Sequence, residues 1–264
     1  MIATNRKLWT FPGLSTVVVL FFAFLYVPIF VLVALSFNQN DVATLWTGFT
    51  FDWYRVVLEN DNIVRATRNS LIVGLSATVV STMLATAAAV GMAGRRFLGQ
   101  AAFNALVGLP LLVPEIVTAV ASLLFFLSIG IPLSLYTVII AHIVFCTPFA
   151  YLPIRARLEG LDPRLLEAAG DLYANPWRAF WRVTLPLLLP GIVSGAMLAF
   201  IISLDDFVIT FFVAGAGATT LPVYIFGMIR IGITPEVNAV SSLLLLASIA
   251  VVTLSYLIGR RSTG

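Results

Sequence analysis

The sequence has few of the residues that metal and nucleotide sites need. It contains one cysteine, Cys146, and one histidine, His142. A single cysteine excludes an internal disulfide and a cysteine zinc cluster, and a single histidine excludes a multi-histidine site, so we expect no metal and no cofactor in this chain. The only lysine is Lys7. A phosphate-binding P-loop requires GxxxxGK[ST], so the chain has no ATPase site of its own.

Charged residues are also scarce, at 10% of the chain, whereas hydrophobic residues make up 60%. Soluble domains contain about 25% charged residues, so this composition is that of a polytopic membrane protein surrounded by lipid. The formal net charge of +3 comes from basic residues scattered over loops and does not suggest nucleic-acid binding. We predict an all-α fold with a single transmembrane domain over residues 1–264.

Six apolar segments are long enough to cross a membrane. The first exceeds the apolar region of a cleavable signal and no small-residue cleavage site ends it, so we expect it to be retained. Pro110 and Pro114 interrupt the third, and shorter helices are predicted outside the spans over residues 50–59 and 222–231. The six predicted spans cover approximately residues 14–37, 70–92, 102–127, 133–154, 187–214 and 237–258.

Basic residues are divided unequally between the two sides of these spans. With the N-terminus inside, eleven basic residues lie on the inner side and four on the outer side, the four being Arg55, Arg65, Arg68 and Arg230. Cytoplasmic loops of membrane proteins carry the excess of Lys and Arg. We therefore predict cytoplasmic N- and C-termini, which also places the loop of about residues 155–186 in the cytoplasm.

That loop is the only long stretch expected to face water on the cytoplasmic side. Asp162 can cap a helix that has Pro163 in its first turn. A second cap at Asn175–Pro176 begins a short helix, which we expect Leu185–Pro186 to end. The product is a helix-turn-helix with an apolar face that needs a partner. The apolar residues at helical spacing on its first helix are Leu165, Leu166, Ala169 and Leu172.

The loop resembles the cytoplasmic EAA---G---------I-LP motif of binding-protein-dependent ABC importer permeases. Its first element is matched by Glu167, Ala168 and Ala169, and its last by Leu185–Pro186, with Val183 at the isoleucine position. The glycine position holds Tyr173. Glycine permits a left-handed turn that is costly for tyrosine, so we expect the bend at Ala174–Asn175 instead.

The resemblance implies a type I ABC importer permease in which this loop docks into a cleft on a separate ATPase subunit, where ATP and Mg would bind. The alternative is a generic amphipathic loop helix. Under the docking interpretation, Leu165, Leu166 and Ala169 would fill the apolar cleft. The full set of predicted coupling residues is Leu165, Leu166, Glu167, Ala168, Ala169, Asp171 and Tyr173.

Three acids fall within the predicted spans, where a carboxylate costs roughly 3 kcal/mol and usually faces a cavity or a partner. Glu115 follows Pro114, and Asp206, the better candidate for the substrate pathway, shares a polar helical stripe with Ser203 and Thr210. The full set of predicted pathway residues is Glu115, Ser203, Asp205, Asp206 and Thr210. Asp205 lies on an apolar face, so we expect it to pair with a neighbouring helix or subunit. No Lys or Arg lies within these spans, which favours a cationic substrate. The alternative is hydrogen bonding between helices, which is the favoured role for His142.

Longer runs resemble the second permease subunit of spermidine/putrescine-type importers, nearly end to end. These runs are FLYVPIFVLVALSFN, AHIVFCTPF, SLDDFVITFFVAGAGATTLP and IRIGITPEVNA. The resemblance implies alternating-access import of a polyamine across a bacterial inner membrane. It also implies a homologous second permease, two ATPase subunits and a periplasmic substrate-binding protein as partners.

Other functions stay open at this point. The same subgroup includes importers of other small amines and amino-acid-like solutes. An ion-coupled secondary transporter is a weaker alternative, because six spans are few for that class and the EAA loop would have no purpose. An intramembrane enzyme is disfavoured, because the sequence contains neither HExxH nor GxSxG.

Overall fold

The computed structural model describes residues 13–42, 45–93, 98–162 and 164–261, with side chains described up to residue 253. The described chain is built from helices, which confirms the predicted all-α class. A π-helical turn, Phe180–Thr184, joins the eighth helix to the ninth. The helices are α1 (Leu14–Leu35), α2 (Asp52–Glu59), α3 (Asp61–Met92), α4 (Gln100–Leu112), α5 (Glu115–Ser128), α6 (Leu135–Glu159), α7 (Arg164–Asp171), α8 (Pro176–Ala179), α9 (Leu185–Asp205), α10 (Val208–Val213), α11 (Leu221–Ile231) and α12 (Pro235–Arg261).

The helices supply the six predicted membrane spans. In the described ranges, five helical segments are long and apolar enough to cross a membrane, and the number becomes six if the bent pair of α4 and α5 is one span. That pair turns by 109°. The turn falls at Val113 and Pro114, and a proline has no N–H to continue the helical hydrogen bonds. The interruption predicted at Pro114 is therefore a sharp bend.

One predicted boundary is wrong at the start of the second span. The helix does not begin near residue 70 but at Asp61, because Asn60 caps it there. The Asn60 side chain accepts hydrogen bonds from the backbone N–H groups of Asn62 and Ile63. These are two of the donors that a helix start leaves without a helical partner. Polar residues before the apolar run are therefore part of the same helix.

The chain divides into two compact units, Met1–Glu59 with Met228–Leu244, and Asn60–Gly227 with Leu245–Gly264. In the first unit, the indole N–H of Trp53 donates to the carbonyl of Asn38 at 2.8 Å. Tyr54 shares a hydrogen bond of 2.7 Å with the hydroxyl of Ser36. These contacts tie α2, the short helix predicted over residues 50–59, to the segment after α1. The expectation of a single domain stays a prediction.

In the second unit, α3, α6 and α9 pack against one another around an apolar core. Val73, Ile154 and Leu188, one from each helix, have no exposed surface. Glycine permits the close approach of α6 and α9. A Cβ atom added to Gly195 would lie 2.5 Å from the carbonyl oxygen of Ala150. Small residues at such crossings let membrane helices pack closely.

Candidate functional site

Asp206 lies at a break between α9 and α10. Its backbone is extended, with ψ of 128°, so α9 ends at Asp205 and α10 begins at Val208. The Asp206 carboxylate accepts hydrogen bonds from the N–H groups of Ile209 at 3.2 Å and Thr210 at 3.0 Å. A carboxylate in this position satisfies N–H groups that have no partner within the helix. The Asp206 side chain is only 1% exposed, so this capping occurs inside the protein.

The predicted continuous helix over residues 187–214 is therefore wrong. The sequence predicts that Asp206, Ser203 and Thr210 share one stripe of a regular helix. They do come together, but through the break: Asp206 caps α10 and also accepts a hydrogen bond from the Thr210 hydroxyl at 3.0 Å. Ser203 belongs to the preceding helix and reaches the same group of residues through His142.

His142, on α6, joins these helices through both of its ring nitrogens. Nδ1 lies 2.7 Å from the Ser203 hydroxyl, and Nε2 lies 2.9 Å from the Thr210 hydroxyl and 3.1 Å from Asp206 Oδ2. An ionised carboxylate only accepts, so a neutral ring places its proton on Nε2 and accepts from Ser203 at Nδ1. The ring is 1% exposed. His142 thus makes the interhelical hydrogen bonds expected from the sequence, and it makes them to the predicted site residues.

Glu115 brings a second carboxylate to this group. It is the first residue of α5, directly after the bend at Pro114, and it is half-buried. Its carboxyl group lies within interaction range of Asp206. In the described part of the chain, no Lys or Arg side chain forms an ion pair with either carboxylate. We call Glu115, His142, Ser203, Asp206 and Thr210 the acid cluster.

Asp205 is separate from the acid cluster although it adjoins Asp206 in the chain. Its side chain is exposed and accepts a hydrogen bond from the hydroxyl of Ser248, on α12, at 3.4 Å. Adjacent residues at a helix end point in different directions, so only one of the two aspartates reaches the cluster. Four of the five predicted pathway residues are therefore brought together. No sequence signal indicated that His142 would join them, because a lone histidine within a span is usually structural.

The loop over residues 155–186 contains the predicted helix-turn-helix, with α7 as its first helix. Asp162 accepts a hydrogen bond from the N–H of Arg164 at 3.0 Å, so it caps α7 as predicted; Pro163 lies outside the described residues. Leu165 and Leu166 are 43% and 51% exposed and Glu167 is exposed, so all three remain available to a partner. Ala168 and Asp171 are exposed as well.

Ala169 differs from its neighbours on α7, because it is 8% exposed and packs inside the chain. The expectation that Ala169 fills a cleft on a partner is therefore corrected. A residue already covered by its own chain cannot offer surface to a second one. Ala169 holds α7 in place, whereas Leu165 and Leu166 present the apolar surface.

The bend after α7 falls at Tyr173, and the predicted bend at Ala174–Asn175 is wrong. Tyr173 has a φ of 57° and is the one non-glycine residue with positive φ in the described ranges. Its N–H donates to Gly170 O at 2.9 Å, and the Ala174 N–H donates to Ala169 O at 3.0 Å. These two bonds form a Schellman motif, in which a left-handed residue closes the helix end. The backbone bonds outweigh the local cost of a tyrosine in that conformation.

The second helix of the loop begins as predicted but does not end at Leu185–Pro186. Asn175 caps α8 by accepting the N–H of Arg178 at 2.8 Å. The chain then passes through the π turn into α9 without interruption, giving a helical segment over Pro176–Asp205. Pro186 is the second residue of α9, directly after the π turn, and the segment continues through it although a proline has no N–H to offer the preceding turn. The second helix of the loop is thus continuous with a membrane span.

Residues 81–262, well over half of the chain, match the family model described as binding-protein-dependent transport system inner membrane component. The chain belongs to this family. The matched region contains the acid cluster and the whole loop over residues 155–186. Membership makes the chain a multi-pass membrane permease, a transport subunit of an ABC importer, as predicted from the EAA loop.

The chain is also similar to individual transport proteins, two by sequence and one by fold. The chain is 38% identical to the spermidine/putrescine transport system permease protein PotC of Haemophilus influenzae, over 91% of this chain and 94% of that protein. It is 39% identical to the putrescine transport system permease protein PotI of Escherichia coli, over 89% and 86%. A solved bacterial ABC transporter that imports the acidic polysaccharide alginate has a chain of similar fold, at 17% identity, a TM-score of 0.69 and 94% coverage of both chains.

Proposed function

We propose that this permease subunit imports a polyamine, such as putrescine or spermidine, by alternating access. The observation that supports this substrate class most strongly is the acid cluster, in which Glu115 and Asp206 lie together without an Arg or Lys partner among the described residues. The names of the relatives PotC and PotI, which refer to spermidine and putrescine systems, agree with a cationic substrate. A polyamine is positively charged at neutral pH and supplies the missing cation.

The two acids have different roles in this proposal. Both oxygens of Asp206 are engaged by Ile209, Thr210 and His142, and the side chain is buried. Glu115 is half-buried, so its carboxylate is the one that meets an ammonium group of the substrate. A charge-assisted hydrogen bond contributes about 1.5–3 kcal/mol, which offsets part of the hydration that the cation loses. Asp206 adds negative potential behind Glu115.

In this proposal, the energy for import comes from ATP hydrolysis on partner subunits. ATP and Mg would bind to two ATPase subunits, because the chain has no P-loop. The exposed side chains of Leu165 and Leu166 would enter an apolar cleft on an ATPase, with Glu167 bonding beside them. Movement of α7 would reach the span through the continuous segment Pro176–Asp205.

The remaining partners complete the importer. A homologous second permease would share the pathway, and a periplasmic substrate-binding protein would deliver the polyamine. Asp205, exposed on the chain, would face the second permease. The excess of basic residues in the inner segments supports a bacterial inner-membrane location with both termini in the cytoplasm.

A reconstituted complex tests this function. The permease is expressed with its partner subunits, purified through a tag on this chain, and placed in proteoliposomes with the binding protein. We expect an ATPase to co-purify and labelled putrescine or spermidine to accumulate only with ATP. A neutral amino acid of similar size serves as the control solute. Equal accumulation of the amino acid, or a preparation that contains no ATPase, would contradict the proposal.

A further inference from the structure

A groove with apolar walls runs along α3 and α9, and its lining includes no residue of the acid cluster. Its volume is about 750 Å³, and its walls carry side chains such as Val79, Met83 and Ile192. The α3 wall extends from Thr78 to Gly91, which is about 20 Å of helix, against ~15 Å of hydrocarbon in one leaflet of a bilayer. The groove is therefore long enough to hold an extended acyl chain.

One end of the groove is closed by the two tryptophans that precede α9. Gly74, in the first half of α3, lies beside the ring of Phe200 near the end of α9, so the last turns of α3 lie beside the first turns of α9. At this end, Trp177 and Trp181 are 68% and 50% exposed, and their rings meet edge to face at 5.6 Å. Because indole rings in membrane proteins prefer the level of the lipid headgroups, this end of the groove lies at a membrane surface.

Two arginines stand at the same level. Arg178 and Arg182 each follow one of the tryptophans, and both are exposed. No ion pair in the described part of the chain includes either of them. They are four residues apart on the helical segment Pro176–Asp205, so they lie on neighbouring turns of one side. Two guanidinium groups at the headgroup level attract a phosphate, to which arginine can donate two parallel hydrogen bonds.

We propose that this groove binds an anionic phospholipid from the leaflet next to the loop over residues 155–186. An acyl chain lies along α3 and α9, and the headgroup phosphate is held by Arg178 and Arg182. The charges favour this occupant over a helix of the second permease, because a helix that covers cations without supplying acids removes their hydration and gives nothing back. The site goes beyond the proposed function and depends neither on a polyamine substrate nor on ATPase docking.

Lipid retention by the assembled complex in detergent tests this site. The complex is titrated with phosphatidylglycerol or with phosphatidylcholine, which has no net charge, and bound lipid is counted by mass spectrometry. We expect half-saturation at a lower concentration of phosphatidylglycerol. In the double variant Arg178→Gln, Arg182→Gln, that concentration should rise at least about tenfold, while the value for phosphatidylcholine should stay the same.

Two further variants separate the headgroup from the groove. The double variant Arg65→Gln, Arg68→Gln removes the same charge from exposed positions near the other end of α3, and it should bind phosphatidylglycerol as the wild type does. Ala87→Phe places a ring in the groove while both groove arginines remain, so it should lower the retention of phosphatidylglycerol.

Three results would overturn the inference. One is wild-type affinity for phosphatidylglycerol after loss of Arg178 and Arg182, which would exclude them as headgroup ligands. Another is an equal loss in the Arg65 and Arg68 variant, because binding would then follow total charge instead of this groove. The third is a wild-type complex that retains no phosphatidylglycerol, together with release of the second permease by Ala87→Phe. That result would make the groove an interface between permease subunits.

Discussion

His142 and Asp206 form a buried pair that joins α6 to the break between α9 and α10, with Nε2 and Oδ2 3.1 Å apart. Each side chain is 1% exposed in this pair. The same carboxylate caps α10, so one aspartate fixes the end of a helix and its contact with a neighbour. A buried network of this kind is stable only while every member has its partner.

Asp206→Asn should destabilise this network. The amide has one acceptor oxygen where the carboxylate has two, so its NH₂ group must face either the N–H of Ile209 or the donors of Thr210 and His142. We expect a loss of about 1.5–3 kcal/mol in stability, the range for hydrogen bonds to charged groups. This corresponds to an unfolding midpoint lower by on the order of 5 °C, measured on the purified permease subunit apart from its partners.

Asp205→Asn is the matched control for that substitution. Asp205 is the adjacent residue, is exposed, and in the described part of the chain accepts one hydrogen bond, from Ser248 at 3.4 Å. The unfolding midpoint of the purified permease subunit, measured apart from its partners, should change little, because the network around His142 is intact. Two results would contradict this role of the buried cap. One is an equally lowered unfolding midpoint in both variants, and the other is a wild-type midpoint in Asp206→Asn.

The spans and the loop helices could be predicted from the sequence because local signals determine them. Long apolar runs predicted the membrane helices, and Pro114 predicted a bend. Asp162 and Asn175 were predicted to cap the helices that follow them, and both do. In each case the residue type alone restricts the backbone or supplies a hydrogen-bond partner. The motif therefore placed α7 correctly without any tertiary information.

The break at Asp206 and the bend at Tyr173 could not be predicted in the same way. The run from Ser203 to Thr210 contains no glycine or proline, so helical periodicity extends through it. The break depends on the contact with His142, which is distant in sequence. At Tyr173, the local preference predicted the bend one residue too late, because hydrogen bonds at the end of α7 outweigh the cost of a left-handed tyrosine.

Glu167→Lys should uncouple ATP hydrolysis from transport. Glu167 is exposed on α7 between Leu166 and Ala168, where a reversed charge would be brought against the ATPase. We expect loss of uptake and of substrate-stimulated ATP hydrolysis, while the protein remains in the membrane at its normal level. Uptake and hydrolysis are measured in proteoliposomes, and membrane content by immunoblot. Normal uptake in this variant would remove the coupling role of the loop.

The orientation can be tested with single cysteines and an impermeant thiol reagent. The native Cys146 has no exposed surface and should not react. We expect Asp61→Cys and Ala216→Cys to be labelled from the periplasm, and Leu98→Cys and Asp171→Cys only after the cytoplasmic side is opened. All four positions are exposed in the chain. Labelling of Asp171→Cys from the periplasm would reverse the topology and exclude docking to an ATPase.

A substitution at Glu115 tests the central claim, which is that this permease moves a cation past an acidic site. Glu115→Gln keeps size and polarity but removes the charge that is proposed to meet the substrate. The loss of a charge-assisted hydrogen bond worth about 1.5–3 kcal/mol should reduce uptake by roughly tenfold or more. Glu159→Gln is the control, because Glu159 pairs with Arg155 at the other end of α6.

The decisive measurement is ATP-dependent polyamine uptake per assembled complex in proteoliposomes, with the binding protein present. Normalising to assembled complex removes any effect of the substitution on folding or assembly. We predict that Glu115→Gln loses at least about nine-tenths of the uptake while Glu159→Gln keeps it. Wild-type uptake per complex in Glu115→Gln would contradict the account and would make the acid cluster a structural feature of the permease.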